Sequence, residues 1–191
     1  MTTKSEIRSR LRRLRREHVA GQPPAIRSLL FNRPPGPLLD LIPENAVIGL
    51  YHATANEAPT ASYAKFFFER GHRLALPRFA SEASEMAFAR FDDPFTESDL
   101  VEGPFALMQP PGNAAEILPD AVIVPLVGFT ATGLRLGQGG GHYDRWLERH
   151  QGRTKVGLAW DVQLAESLPE EAHDQLLDVV VTPTRMYGPF A

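Results

Sequence analysis

Cysteine is absent from the 191 residues. That excludes a disulfide framework, a zinc–thiolate site and a cysteine nucleophile. Also missing is any run of about 18 apolar residues, the length a transmembrane helix needs. No His-Glu-x-x-His helix and no Gly-x-Ser-x-Gly elbow occurs, so the signatures of zinc metalloproteases and serine hydrolases are lacking. The N-terminal stretch is rich in arginine with no apolar segment behind it, which is not the pattern of a signal peptide. A cytoplasmic location is the expectation left by elimination. The chain is 43% hydrophobic and 23% charged, which is ordinary globular usage and supports a real core. Its length fits one domain over residues 1–191.

The net charge of −3 hides an asymmetry. Residues 1–18 hold seven basic side chains (Lys4, Arg8, Arg10, Arg12, Arg13, Arg15, Arg16) against Glu6 and Glu17, for +5. The rest of the chain holds 13 basic against 21 acidic groups, for −8. A basic charge gathered on one short segment suits an anionic partner, whether a phosphate-bearing ligand, a nucleic acid or a membrane surface. The plainer reading is a solvated helix face.

Thr3 and Glu6 have capping-box spacing, so a helix is predicted to start near Lys4. Ile7, Leu11 and Leu14 repeat at helical spacing and would face the core. Lys4, Arg8, Arg12 and Arg15 then share a different stripe. Further helices are predicted over residues 25–31, 61–69, 143–150 and 162–168, and 33–37 reads as a loop. Strands are predicted over 47–51, 73–76, 86–91, 121–124, 155–160 and 178–182. This alternation predicts an α/β fold: an open, mostly parallel, Rossmann-like sheet with helices on both faces. Ligands bind such sheets at the carboxyl ends of the strands, which directs attention to the loops after Tyr51, Val124 and Trp160.

The densest chemical signal is Gly133 to Arg145. Gly137, Gly139, Gly140 and Gly141 fill four of five positions. Removing the Cβ atoms lets backbone N–H groups approach a ligand. A helix follows at once, so its free amides and positive dipole end face the same loop. With Arg135 and Arg145 on either side, this is what a phosphate cradle requires. It is not a Walker A loop, since no Gly-Lys-Ser/Thr follows. Nor is it the dinucleotide fingerprint, since His142 stands in the third glycine position. Asp144 falls in the first turn of the helix, where it suits either the helix dipole or a magnesium ion beside phosphates.

This stretch resembles the signature of the 5-formyltetrahydrofolate cyclo-ligase family: a strand ending in proline, then Phe, Gly and Arg-Leu-Gly-x-Gly-x-Gly-x-Tyr-Asp. Here it reads Ala121 to Pro125, Phe129, Gly133, and Arg135 to Asp144. The resemblance extends over nearly the whole chain. It takes in Lys4 and Arg8, Glu57 after the first strand, Pro77-Arg78, Val156 to Ala159, His173-Asp174, and Asp178 to Pro183. Residues 80–120 match loosely and 21–37 less.

The resemblance implies ATP-dependent conversion of 5-formyltetrahydrofolate to 5,10-methenyltetrahydrofolate, releasing ADP and phosphate. Phosphorylation of the formyl oxygen would precede attack by the folate's own nitrogen 10. It implies ATP contacts from Lys4, Arg8, Arg135, Gly137, Gln138, Gly139, Gly140, Gly141 and Tyr143, with Arg135 the candidate for stabilising phosphoryl charge. Folate contacts are implied for His52, Glu57, Gln138 and His142, and Mg2+ ligands for Asp144 and Asp174. Gln138 and His142 depart from the family, which commonly has a basic or large side chain at the first position and an aromatic at the second. Met86, Phe88 and Phe105 are candidates for an apolar wall, with buried core the plainer reading; Trp160 carries the same two readings. A monomer is expected, with no nucleic-acid or membrane partner. Two alternatives stand beside this: the same ATP scaffold serving another substrate or binding folate without turnover, and, more remotely, a nucleic-acid binder built on the basic helix.

Overall fold

The computed structural model describes residues 3–190. In chain order the elements are α1 (Lys4–Ala20), α2 (Pro24–Leu30), α3 (Gly36–Leu39), β1 (Val47–Gly49), α4 (Ala61–Glu69), β2 (Arg73–Arg78), β3 (Ala87–Phe91), β4 (Val101–Glu102) and β5 (Met108–Gln109). There follow β6 (Ala121–Val124), β7 (Gly128–Phe129), β8 (Arg135–Leu136), α5 (His142–Arg149), β9 (Thr154–Leu158), a 3-10 turn (Asp161–Gln163), β10 (Val179–Val181) and β11 (Met186–Tyr187).

Seven strands form the central sheet in the order β11-β10-β9-β6-β1-β2-β3. The inner five run parallel, and the strand at each edge is antiparallel. The expected parallel α/β sheet is therefore present, with two antiparallel edges that the sequence did not announce. Strand alternation divides the core in two. Ile48, Leu74, Leu76, Ile123, Val156 and Val181 face one side, against Phe31, Leu38 and the Tyr63, Phe66 and Phe67 side of α4. Val47, Ala75, Val122, Val124 and Val180 face the other, against Trp146 and Leu147 of α5. Helices thus cover both faces, as a buried parallel sheet requires.

Helix α1 packs away from the main sheet. Its Ile7 and Leu11 sit with Val127, Leu136, Ala165 and Leu168, and Leu11 lies so close to Gly128 that a Cβ there would come within 2.4 Å of it. The capping box is present, with the Glu6 amide donating to Thr3 Oγ1 at 3.3 Å and the Thr3 amide to Glu6 Oε2 at 2.8 Å. Leu14, expected in the core, is instead exposed, and Arg15 is buried. The β7–β8 hairpin under α1 accounts for this, because the face it covers is turned toward Leu11 and Arg15 rather than Leu14.

The helix expected over 162–168 is only the 3-10 turn. Gln163 Nε2 donates to the carbonyls of Leu126 and Val127, and the Ala165 amide donates to Phe129 O at 2.7 Å. These bonds draw the chain out alongside β7. The loop expected at 33–37 gives way after Pro35 to the short α3.

The strand order departs from β1 in both directions, to β2 on one side and β6 on the other. That is a topological switch point, and the crevice there lies at the carboxyl ends of β1 and β6.

Candidate active site

A cleft of about 810 Å³ opens at that point, bordered by Tyr51 and His52 after β1, Pro125 after β6 and the loop after β8. Its volume lies within the range of small-molecule sites. Every residue named from the sequence as an ATP, folate or Mg2+ contact lines it: Lys4, Arg8, His52, Glu57, Arg135, Gly137, Gln138, Gly139, Gly140, Gly141, His142, Tyr143, Asp144 and Asp174.

The cationic wall is the α1 stripe. Arg8 Nε donates to Gly137 O at 2.9 Å. Arg12 donates to both Gln138 O and Gln138 Oε1 at 2.8 Å. Lys4 Nζ lies 2.8 Å from Asp174 Oδ2 and 3.2 Å from Glu171 Oε2. One helix therefore threads its charges along the glycine loop, a consequence of the three- and four-residue spacing.

The loop itself needs its glycines. Gly139 has φ +113° and Gly141 φ +65°, backbone that side-chain-bearing residues rarely adopt. Gly141 caps α5 without any side-chain bond to the first-turn amides, and those amides are left for a ligand anion.

Below the loop, Arg135 donates to Asp144 Oδ1 at 2.6 Å and to Gln175 O at 2.9 Å. The arginine side chain is 3% exposed and the aspartate 19%. Asp144 Oδ1 also accepts from the Gln175 amide at 3.3 Å, so both of these bonds fall on one oxygen. Burial alone would lift the Asp174 carboxyl, but the Lys4 ammonium and the Glu171 amide hold it below its ordinary value. Among the described residues, Glu171, His173 and Asp174 can bring ligand atoms within 4.8 Å of one another. Oxygen donors suited to a hard cation are thus present on both flanks of the loop.

The far side of the cleft is aromatic. Phe79, Phe105 and His142 form a cluster, with ring centroids 4.9 Å apart for Phe79–His142 and 5.0 Å for Phe79–Phe105. Burial, and then the nearby Arg145 charge, push the His142 pKa down. Gln109 clamps Phe79 from both backbone groups at 3.0 Å. Glu57 stands opposite. Its Oε2 accepts from the Thr54 amide and hydroxyl at 2.9 Å, and its Oε1 faces Gln138 Nε2 at 3.4 Å. His52 Nε2 is 3.1 Å from Glu97 Oε2, so its ring is held by a carboxylate rather than simply packed.

The model of the 5-formyltetrahydrofolate cyclo-ligase family matches residues 1–183. The chain belongs to this family. The 5-formyltetrahydrofolate cyclo-ligase of Escherichia coli K12 is 33% identical over 147 residues, covering 73% of this chain and 79% of that protein. The Mycolicibacterium smegmatis cyclo-ligase is 28% identical over 96% of this chain and 95% of its own. The solved 5,10-methenyltetrahydrofolate synthetase of Aquifex aeolicus superposes with a TM-score of 0.76 at 28% identity, covering 98% of this chain and 93% of that one.

The two departures from the cyclo-ligase signature find their counterparts in space. His142 takes the place of an aromatic and joins the Phe79–Phe105 cluster. Gln138 stands where a basic or large side chain was expected, and the Arg12 guanidinium bonded to it brings positive charge to the same spot. Of the proposed apolar wall, only Phe105 lines the cleft. Met86 and Phe88 are buried in the second core beside Trp146, and Trp160 is buried in the first. Phe79, Gln109 and Glu171 were not singled out from the sequence. Phe79 follows Pro77-Arg78 directly, and that proximity was the one available signal.

Proposed function

We propose that this cyclo-ligase-family protein converts 5-formyltetrahydrofolate and ATP to 5,10-methenyltetrahydrofolate, ADP and phosphate, using the cleft at the β1–β6 switch point. The observation that carries the reading is the convergence of the Lys4–Arg8 stripe, the glycine loop and Glu57 on one cavity. An amide-like formyl oxygen is a poor leaving group. Transfer of the γ-phosphoryl group to that oxygen corrects this. Nitrogen 10 of the folate then attacks the formyl carbon, the carbon–oxygen bond breaks, and phosphate leaves with the oxygen as nitrogen 10 gives up its proton. The nucleophile belongs to the substrate, so the protein's task is positioning and charge neutralisation.

The geometry supports the following roles. Lys4 carries three donors and spends two on carboxylates, leaving one for phosphate. Arg8 uses Nε on the loop, so its two terminal nitrogens face the phosphates together with the amides of 137–141. Arg135 acts from the floor: its charge stabilises the transferring phosphoryl group while it holds Asp144. Tyr143 and Gln138 complete the ATP side. Glu57 pairs with the amino and ring N–H donors of the pterin, and His52, Gln138 and His142 line the folate path. Mg2+ would be held by Asp144, or by Asp174 with Glu171, and would neutralise phosphate charge. Asp144→Asn should weaken the Mg2+ dependence of turnover; an unchanged titration would leave Asp144 as the partner of Arg135 alone. The reading is of one catalytic domain, working as a cytoplasmic monomer without nucleic-acid or membrane partners.

The test is the absorbance of methenyltetrahydrofolate on mixing protein, 5-formyltetrahydrofolate and Mg2+ with and without ATP. Product that appears only with ATP supports the reading. No product from folded, ATP-binding protein means that the scaffold serves another substrate.

A further inference from the structure

The β4–β5 hairpin, residues 101–109, forms a two-stranded sheet of its own, apart from the seven-stranded one. Two strands alone are marginally stable, so such a hairpin takes its place from what it is tied to. This one brings Phe105 and Leu107 to the wall of the cleft. Both are exposed, at 40% and 39%. Ala106 between them has φ +54°, the left-handed conformation, within the hairpin turn. Exposed apolar side chains gathered on the wall of a cleft mark surface that a ligand covers.

The tie is Gln109, a buried residue at the base of the hairpin. Its Oε1 accepts from the Phe79 amide and its Nε2 donates to the Phe79 carbonyl, both at 3.0 Å. A carboxamide offers an acceptor and a donor side by side. This side chain therefore pairs with Phe79 as a residue of a neighbouring strand would. Phe79 directly follows β2, so the two bonds join the hairpin to the main sheet. The Phe79 ring in turn meets Phe105 edge-on at 5.0 Å and His142 at 4.9 Å. Gly103 leaves the amide its room, because a Cβ there would lie 2.4 Å from both Cδ and Oε1 of Gln109.

We propose that Gln109 is a positioning residue for the folate: its side-chain amide pins the hairpin to Phe79, so that Phe79, Phe105 and Leu107 stand as one apolar wall for the flat rings of that substrate. Such rings need apolar area on one side while Glu57, opposite, takes their N–H donors. The inference rests on the reading of the cleft as a folate site. It gives Gln109 no part at the ATP end.

The test measures the Kd for 5-formyltetrahydrofolate by calorimetry, which does not depend on turnover, beside the KM values for both substrates. Gln109→Met keeps the length of the side chain and removes both bonds. It should raise the folate Kd and KM about tenfold and leave KM for ATP within about twofold. Phe105→Ala, at an exposed position, should raise the same folate constants. Adding Gln109→Met to it should raise them less than about twofold further, because the two act through one wall. Gly103→Ala is the second variant. Its Cβ displaces the flexible end of Gln109 and leaves the core alone, so it should reproduce the pattern even if Gln109→Met does not fold. Folate constants unchanged in Gly103→Ala and Gln109→Met, equal rises for both substrates, or losses that multiply with Phe105→Ala overturn the role of Gln109 while leaving the cleft reading intact. A wild-type protein that binds no folate removes the cleft reading, and the proposal falls with it.

Discussion

Removing Arg135 should cost stability as well as turnover, and the structure sets the size of the effect. Arg135→Met preserves most of the stem and deletes the charge. Asp144 then loses a 2.6 Å charge-assisted bond, and Gln175 O loses its 2.9 Å donor. Breaking a buried ion pair by deleting one partner costs about 3–5 kcal/mol. Asp144 is not left wholly stranded: its side chain is 19% exposed, and it retains the Gln175 amide. It also stays in the first turn of α5, where the helix dipole contributes about 0.3–1 kcal/mol. The net loss should be about 2–3 kcal/mol. For a chain of this size that is a fall in Tm of about 5–10 °C. Adding Asp144→Asn removes the orphaned charge and should restore about 1–2 kcal/mol. Urea unfolding and thermal melts read both numbers, and turnover of the single variant should fall about 10²–10³-fold. A Tm change under about 1 °C for Arg135→Met, or single losses that simply add in the double variant, would refute the reasoning about this pair.

Three further outcomes are expected. Asp174 is held below its ordinary pKa and Lys4 above its own, in each case against the pull of burial. The aspartate's contribution is therefore full above about pH 4 and lost as pH falls through its lowered folded value, and the lysine's is full below about pH 10. The Tm gap between wild type and Lys4→Met should be flat from about pH 5 to 9 and close on acidification; a gap that persists at pH 2 excludes the pair as its source. In the loop, Gly139→Ala should destabilise the fold by about 1 kcal/mol or more because of its φ of +113°. Gly137→Ala meets nothing within 4 Å and has ordinary φ, so its Tm should hold while its KM for ATP rises; an unchanged KM would place the phosphates elsewhere.

Legibility in the sequence followed the physics of each element. Ala121 to Val124 was readable residue for residue because it is buried on every side chain and closed by Pro125. The bounds of α4 were likewise readable from an apolar run with Gly71 just beyond its end. The capping box fixed the start of α1. By contrast β4, β5, β7, β8 and β11 are two residues each, too short to show any period, and pairing alone defines them. The 162–168 helix failed because Gln163 and Ala165 found tertiary partners that a helix would deny them. The site was readable because its glycines, arginines and carboxylates cluster in sequence. What could not be read was commitment: that Asp144 belongs first to Arg135, that Asp174 belongs to Lys4, and that Arg15 rather than Leu14 is turned inward. Those depend on which face of α1 meets the hairpin, and spacing along one chain leaves that open.

The α1 stripe has a consequence for the order in which the molecule can be assembled. Lys4 binds a residue 170 positions away, Arg8 one 129 away and Arg15 one 111 away. During synthesis the helix is made first, and its partners emerge after β6. A chain extended only through Val124 already carries all four cations of the stripe and none of the atoms they bind. The cleft thus cannot close until Asp174 has been made, long after its cationic wall exists. Closing so long a loop adds little entropy, since each doubling of length costs only about 0.6 kcal/mol. The burden of this architecture therefore falls on timing, in the interval when an arginine-rich helix waits for the carbonyls and carboxylates that will hold it.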